Sequence, residues 1–188
     1  MKSKIYIFVL AIMVVVFLGA CSKDKGNELE ETIRRINEEE TYPEAPGELE
    51  IKYDNINDII SDADNIVKIK VLEQSIEMLD GYPQTNTIAE IDYVSKGNLN
   101  IGDEIVIVEE GGNDGKVLGG IPVLKDKSEY VLFLTEYNDK YYIVGGFQGR
   151  FIEREGYLFQ QATSDVKLAN YTPMKTEDFL KMVEENLK

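Results

Sequence analysis

The sequence predicts a mainly β domain of the α+β class, with one helix before the first strand and one at the C-terminus. Alternating apolar and polar residues recur in short segments from Val67 to Gln160, and this period of two is typical of half-buried strands. Segments with the helical period flank them at residues 54–63 and 176–187. Residues 51–188 suffice for one core, so we predict a single globular domain there.

Each element is predicted from its own pattern. Asp54 or Asn55 can cap the first helix, whose apolar face is spaced as in Ile56, Ile59, Ile60 and Ala63. The strand patterns are "IVKIKV", "TNTIAEIDYV", "EIVIVEE", "EYVLFLTEY", "KYYIV", "GRFIERE" and "YLFQ". Hairpins are predicted at Asn138-Asp139 and at Gly156. The last helix begins at Thr176 in "TEDFLKMVEENL".

Two strands are apolar on both faces, Ile105–Val108 and Val131–Leu134. Such strands lie inside a covered or closed sheet, because an exposed face would carry polar residues. A small barrel meets this need and also removes exposed sheet edges.

The first 20 residues have the organisation of a signal peptide. Lys2 and Lys4 precede the uncharged segment Ile5–Leu18, which is shorter than the roughly 20 residues of a membrane span. The small residues that follow end in Cys21, which is the only cysteine of the chain. An ordinary secretory leader or an anchor helix that contains a cysteine by chance is the simpler alternative.

The tetrapeptide Leu18, Gly19, Ala20 and Cys21 resembles the lipobox of bacterial lipoproteins. The resemblance implies cleavage before Cys21 and a diacylglyceryl group on its sulphur, with acyl chains such as palmitate. Two acyl chains anchor a protein stably, whereas one binds only marginally. We therefore expect a protein held on the outer face of the cytoplasmic membrane.

The mature chain is strongly acidic. Residues 1–20 contain two lysines and no acid, so residues 21–188 carry 18 basic and 35 acidic side chains, a formal charge of −17. This charge excludes nucleic acid as a partner, because phosphates would be repelled. Residues 21–50 are polar and acidic, and we predict a tether there, with one short helix possible along Leu29, Ile33 and Ile36. The expected partner is an envelope protein or a wall component.

The order of segments also resembles a known module. A helix, the strand "ADNIVKIKV", a variable loop, a strand ending in "SKG", a further strand, a glycine-containing loop and "SEYVLFL" are similar to the netrin-like module. That module is the OB-type barrel of the tissue inhibitors of metalloproteinases, so the resemblance implies a small OB-like barrel over residues 54–146. Those inhibitors chelate zinc through a free N-terminal cysteine, and an acylated Cys21 far from the barrel excludes that mechanism here. The segment "GGIPVLKDKSEYVLFL" together with "YYIVGGFQGRF" is similar to exported lipoproteins of Gram-positive bacteria, which implies no particular activity.

Composition excludes several classes of catalytic site. The chain has no histidine, which removes histidine-dependent nucleophilic and zinc sites, and acylation of Cys21 removes thiol chemistry. The segment Ser164–Lys167 matches the S-x-x-K pattern of penicillin-recognising enzymes, but the companion motifs are absent and "SKDK" at Ser22 matches equally well. We predict no enzyme, no catalytic residue and no cofactor.

Two alternatives based on acids stay open. A pair of carboxylates about 5–10 Å apart would suit a cell-wall or glycan hydrolase. Glu109, Glu110, Asn113 and Asp114 offer oxygen ligands for calcium in an adhesion or inhibitor module. Their spacing is not that of an EF-hand loop, and we predict no metal site.

Two glycine-rich segments are the candidates for a ligand- or partner-binding surface. "GGNDGK" fails the phosphate-loop pattern, because Glu110 and Val117 stand where glycine and a hydroxyl residue are required. "GGFQGRF" follows an apolar strand, where glycine marks a barrel corner or the close approach of a ligand. The candidate residues are Gly111, Gly112, Asn113, Asp114, Gly146, Gln148 and Arg150.

Overall fold

The structure, a computed structural model, describes residues 21–42, 51–112, 114–116 and 120–188. The chain divides into two compact units, Met1–Glu38 and Glu39–Lys188. The predicted signal peptide with Leu18, Gly19 and Ala20 lies outside the described residues, as does Asn113. The helices are α1 (Cys21–Glu39), α2 (Ile56–Asp62) and α3 (Thr176–Asn186). The strands are β1 (Thr41–Tyr42), β2 (Asn65–Leu79), β3 (Tyr82–Lys96), β4 (Glu104–Glu110), β5 (Glu129–Tyr137), β6 (Lys140–Ile143), β7 (Arg150–Arg154), β8 (Tyr157–Gln160), β9 (Ala162–Thr163) and β10 (Met174–Lys175).

The segment predicted as an acidic tether contains a helix within its described residues, 21–42. Its first 19 residues form α1, because glutamate, leucine and arginine favour helices and Arg34 pairs with Glu38 one turn away at 3.2 Å. Strand β1 then pairs in parallel with β9. The second unit therefore begins at Glu39, 12 residues before the boundary predicted at position 51.

The sheet curls into a partly closed barrel. Its order is β10-β8-β7-β5-β2-β3-β4-β6, with a further pairing of β5 and β6. Strands β2, β3, β4, β6 and β5 thus form a ring, closed by the parallel contact of Ile107 in β4 with Tyr141 in β6. Five strands in this order are the connectivity of an OB-like barrel. The predicted fold class is confirmed: a mainly β domain with a helix before the first barrel strand and a C-terminal helix.

Local sequence signals fix the ends of several elements. Asn55 caps α2 by accepting hydrogen bonds from the amides of Asn57 and Asp58, as predicted. The β5–β6 turn has positive φ at both Asn138 and Asp139, which is the requirement of a type I′ hairpin. The predicted helix start at Thr176 and the buried runs of β4 and β5 are confirmed as well.

One predicted loop is a pair of strands. The segment between the strands "ADNIVKIKV" and "TNTIAEIDYV" was predicted as a variable loop, but β2 and β3 continue through it and meet at the turn Asp80-Gly81. A register shift between Val71 and Glu73 breaks the alternation, which hides the strand from a search for period two. We call residues 72–82 the arm.

Aromatic rings fill the core beneath the two helices of the second unit. Phe133 and Phe151 from the sheet contact Phe179 of α3 at centroid distances of 6.2 and 5.0 Å. Tyr171 stacks edge-on against both Phe151 and Phe179. The apolar face of α2 joins this cluster through Ile56, Ile59 and Ile60, so both helices close one side of the barrel.

Candidate functional site

Arg150, the predicted anchor of the glycine-rich site, is fully buried. Its Nη1 donates to Glu109 Oε1 at 2.7 Å and its Nη2 donates to the Pro122 carbonyl at 2.6 Å. The other oxygen of Glu109 accepts the Leu124 amide at 3.0 Å. The pair therefore ties β7 and β4 to the segment that follows the first glycine loop, and it connects the two predicted glycine segments.

Burial of the Arg150–Glu109 ion pair costs desolvation free energy, which the attraction between the two charges offsets. Desolvation raises the pKa of Glu109, and the charge of Arg150 together with the hydrogen bonds from Leu124 and Arg150 opposes this rise. Removing one partner of such a buried pair leaves an uncompensated charge. Arg150 therefore contacts other parts of the protein and is not exposed to solvent.

Gln148 is also fully buried and fixes three segments. Its Oε1 accepts the Tyr53 amide at 2.8 Å, and its Nε2 donates to the carbonyls of Tyr53 and Val166 at 2.9 and 2.7 Å. The side chain thus uses one acceptor and both donors inside the protein. Nearby Gly149 allows the close approach of two segments, because a Cβ there would lie 2.9 Å from the Val144 carbonyl oxygen and 3.0 Å from Phe133 Cβ.

The first glycine loop is held by hydrogen bonds within the loop and by hydrogen bonds to β3. Gly112 donates to the Lys116 carbonyl at 2.6 Å, and Asp114 accepts the Lys116 amide at 3.0 Å. Gly112 has φ +100, and a Cβ there would lie 1.8 Å from Thr85 Oγ1, so only glycine fits. Gly111 is half-buried, whereas Asp114 and Gly146 are exposed. Among the described residues no hydrogen bond joins Asp114 or Gly146 to the Arg150–Glu109 pair.

A second buried acid lies in the segment predicted as tether. Glu40 is buried and forms ion pairs with Lys125 at 3.8 Å and Arg154 at 3.5 Å. The Tyr42 hydroxyl donates to it at 3.2 Å, and Gln161 donates a further hydrogen bond. The Glu40 carboxylate therefore has its partners within the protein, and it stabilises the region around the β1–β9 strand pair.

The S-x-x-K segment lies in the turn after β9. Ser164 is exposed, and its amide donates to the Tyr42 carbonyl at 2.9 Å. Burial lowers the pKa of Lys167, while the charge of Glu40 opposes that shift. The Lys167 Nζ donates to the Thr41 hydroxyl, which anchors the turn to β1.

A groove of about 500 Å³ is present that the sequence patterns do not predict. It lies between β2, β3, the β7–β8 turn and the start of α3, and its acidic lining is Asp92, Glu153, Glu155 and Glu177. Lys68 contacts Glu129 at 2.6 Å and Glu153 at 3.2 Å, and the Thr176 hydroxyl donates to Glu153 at 2.9 Å. Glu153 is therefore already paired with a cation, Lys68, in this groove.

The arm is the most apolar exposed surface among the described residues. Five of the ten exposed large apolar side chains of the described residues lie in it. The four with more than half of their surface exposed are Ile76 (53%), Met78 (65%), Leu79 (55%) and Tyr82 (76%). A cluster of exposed apolar side chains in one segment is typical of interaction sites in soluble domains. The strand patterns do not predict the arm, although Asp80-Gly81 in "LDGY" is a hairpin-turn signal.

Within the described part of the chain, no group of three or more acidic or cysteine side chains is arranged to hold a metal ion. In the same residues no helix has the length and hydropathy needed to cross a bilayer. No protein-family model and no curated protein matches the chain.

Proposed function

We propose that this protein is a lipid-anchored, non-catalytic binding module at the outer face of the cytoplasmic membrane of a Gram-positive bacterium. The lipobox-like sequence Leu18–Cys21, after a positively charged and apolar leader, supports the anchor. A diacylglyceryl group on Cys21 would hold the module at the membrane without a transmembrane helix. The binding surface of this module is the arm.

The exposed apolar side chains of the arm are the observation that carries the binding role. The arm projects Ile76 and Met78 on one face and Leu79 on the other, since side chains alternate along a strand. Leaving such side chains in water forgoes about 1.5–3 kcal/mol each, relative to full burial. A partner that buries these side chains therefore gains binding free energy from the apolar surface removed from water.

The acids of the groove are the candidates for the alternative function, a carboxylate-dependent hydrolase. Glu153 in that groove is engaged by Lys68 and by the Thr176 hydroxyl. A general acid needs a protonated carboxyl in an apolar setting, and this acid contacts a cation instead. Binding is therefore the better supported function, and hydrolysis is an outcome that the following experiment can reveal.

The test is site-specific photo-crosslinking in living cells. A photoreactive amino acid replaces Met78 in the arm, and the matched control replaces Ile101, which is 68% exposed in the β3–β4 turn. We expect a discrete adduct from position 78 and none from position 101. Combining the probe with Cys21→Ser should abolish the adduct, because the unanchored protein leaves the membrane.

Equal adducts from both positions would contradict the proposed binding surface. An adduct that survives Cys21→Ser unchanged would contradict the role of the anchor. Release of soluble fragments from purified peptidoglycan by the wild-type protein, lost in Glu153→Gln, would replace the binding function with the hydrolase.

A further inference from the structure

We infer that the arm binds its partner by strand addition: an extended segment with alternating basic and apolar side chains pairs with the free edge of β2 at residues 73–79. This inference rests on the proposed binding function and specifies its partner and its geometry. The edge, the faces of the strand and the charges each support one part of it.

The edge of β2 is free over the length of a typical peptide strand. Strand β5 pairs with β2 only from Asn65 to Lys70, and the last backbone contacts on that side are those of Val71 with Lys127 and Ser128. Beyond them, no strand among the described residues pairs with this side of β2. Seven residues, 73–79, span about 24 Å at the rise of a strand, which suits addition of a strand to an exposed edge.

The two faces of this edge differ in character. Gln74, Ile76 and Met78 share one face, whereas Glu73, Glu77 and Leu79 share the other. The apolar pair is exposed, and so are both glutamates. Because an added strand aligns its alternate side chains with these faces, its apolar residues would cover Ile76 and Met78 while its other face meets the glutamates.

The acidic side chains of the edge favour a basic partner and disfavour a second copy of the chain. Glu73, Glu77 and the turn residue Asp80 are acidic, and Lys140 at 3.6 Å from Glu77 offsets one of them. Two copies paired through this edge would oppose like charges, within chains of net charge −15. Lysine or arginine side chains of a bound strand would instead be attracted to the two glutamates.

The same charges disfavour insertion of the arm into a bilayer. Glu77 and Asp80 lie among the apolar residues of the tip, and burying either in lipid would remove a charge from water. A polypeptide edge can pair with these acids while covering the apolar side chains. A basic extended peptide is therefore the partner that fits both features.

The test measures binding of two labelled peptides to the full mature chain in detergent micelles. The basic probe is the heptapeptide Val-Lys-Val-Lys-Val-Lys-Val, and the acidic control carries glutamate in place of lysine. Fluorescence anisotropy should show binding of the basic peptide and at least tenfold weaker binding of the acidic one. Hydrogen exchange should show that the bound basic peptide protects outward-facing amides of residues 73–79.

Two variants assign the effect to the edge. Glu73→Lys with Glu77→Lys should weaken the basic peptide about tenfold or more and improve binding of the acidic peptide. The matched control, Glu104→Lys with Glu136→Lys, changes the net charge equally on exposed residues of β4 and β5 and should leave both affinities within about twofold. Circular dichroism of all variants monitors folding.

The following outcomes would contradict binding of a basic strand to this edge. Loss of binding in both double variants alike would indicate net charge rather than the edge as the determinant. Dimerisation abolished by Glu73→Lys would assign the edge to a second copy, and arm-dependent flotation with phosphatidylcholine vesicles would assign it to a bilayer. If neither peptide binds while the crosslink at Met78 persists, strand addition is wrong and the binding function stands.

Discussion

Replacing Arg150 with methionine should destabilise the second unit by about 3–5 kcal/mol at neutral pH, the range for removing one partner of a buried ion pair. Its Nη1 lies 2.7 Å from Glu109 Oε1, with the two side chains 0% and 4% exposed. The substitution also removes the donor to the Pro122 carbonyl. Methionine fills much of the vacated space, so the loss reports the charge pair more than a cavity.

The cost of Arg150→Met should depend on pH. In the wild type, desolvation raises the pKa of Glu109 above its ordinary value of 4.5, and the charge of Arg150 limits the rise. Without Arg150 the pKa rises further, so the folded protein retains a proton that the unfolded chain releases above pH 4.5. Stability therefore falls as pH rises through that window. The variant should lose less stability at pH 5 than at pH 8, because protonated Glu109 carries no charge.

The assay is urea unfolding of the mature chain, followed by tyrosine fluorescence because the chain has no tryptophan. Lys181→Met is the control, since Lys181 and Glu185 are paired at 3.9 Å with 75% and 61% exposure; it should cost less than about 1 kcal/mol. Arg150→Met with Glu109→Gln should cost less than the sum of the single variants by about 0.5–3 kcal/mol. A loss below about 1 kcal/mol for Arg150→Met, or strict additivity, would contradict a stabilising ion pair between Arg150 and Glu109.

Four further predictions concern other parts of the second unit. Phe179→Ala should cost about 3–5 kcal/mol in urea unfolding, because it empties the aromatic cluster; a cost below about 1 kcal/mol would show that the cluster is loosely packed. Asn55→Ala should cost about 1 kcal/mol, because it removes the acceptor of two amides at the start of α2; no loss would mean the cap is dispensable. Burial raises the pKa of Tyr130 to about 12, so Tyr130→Phe should remove an ionisation at that pH from an absorbance titration, whereas loss of an ionisation near pH 10 would contradict it. Millimolar calcium should leave the melting temperature unchanged, because both carboxylate oxygens of Glu109, one of the proposed calcium ligands, already bind Arg150 and the Leu124 amide; a rise would support the calcium-dependent alternative.

Local patterns predicted most of the second unit because each depends on neighbouring residues. The cap at Asn55, the turn at Asn138-Asp139 and the start of α3 at Thr176 were all available from spacing and residue type. The arm was not, since the register shift after Val71 places Ile76 and Met78 out of step with the preceding strand. Pairing of β1 with β9 links residues about 120 apart, and no local signal encodes it.

Of the residues predicted for the glycine-rich site, Gln148 and Arg150 lie in the core. The sequence selected Gln148 and Arg150, and these two side chains do connect distant segments, but through buried contacts with Tyr53 and Glu109. Burial of a charged residue depends on which segments pack around it, and composition does not encode that arrangement. Glu40 illustrates the same limit, because its neighbours Lys125 and Arg154 come from other parts of the chain.

The anchor is tested most directly by the intact mass of the protein extracted from membranes of its native host or a Gram-positive expression host. We expect a chain that begins at Cys21 and carries the added mass of a diacylglyceryl group with two fatty acids. Peptide mapping should place that mass on Cys21. A chain that retains residues 1–20, or one that begins elsewhere with a free thiol at Cys21, would contradict the proposed lipid anchor.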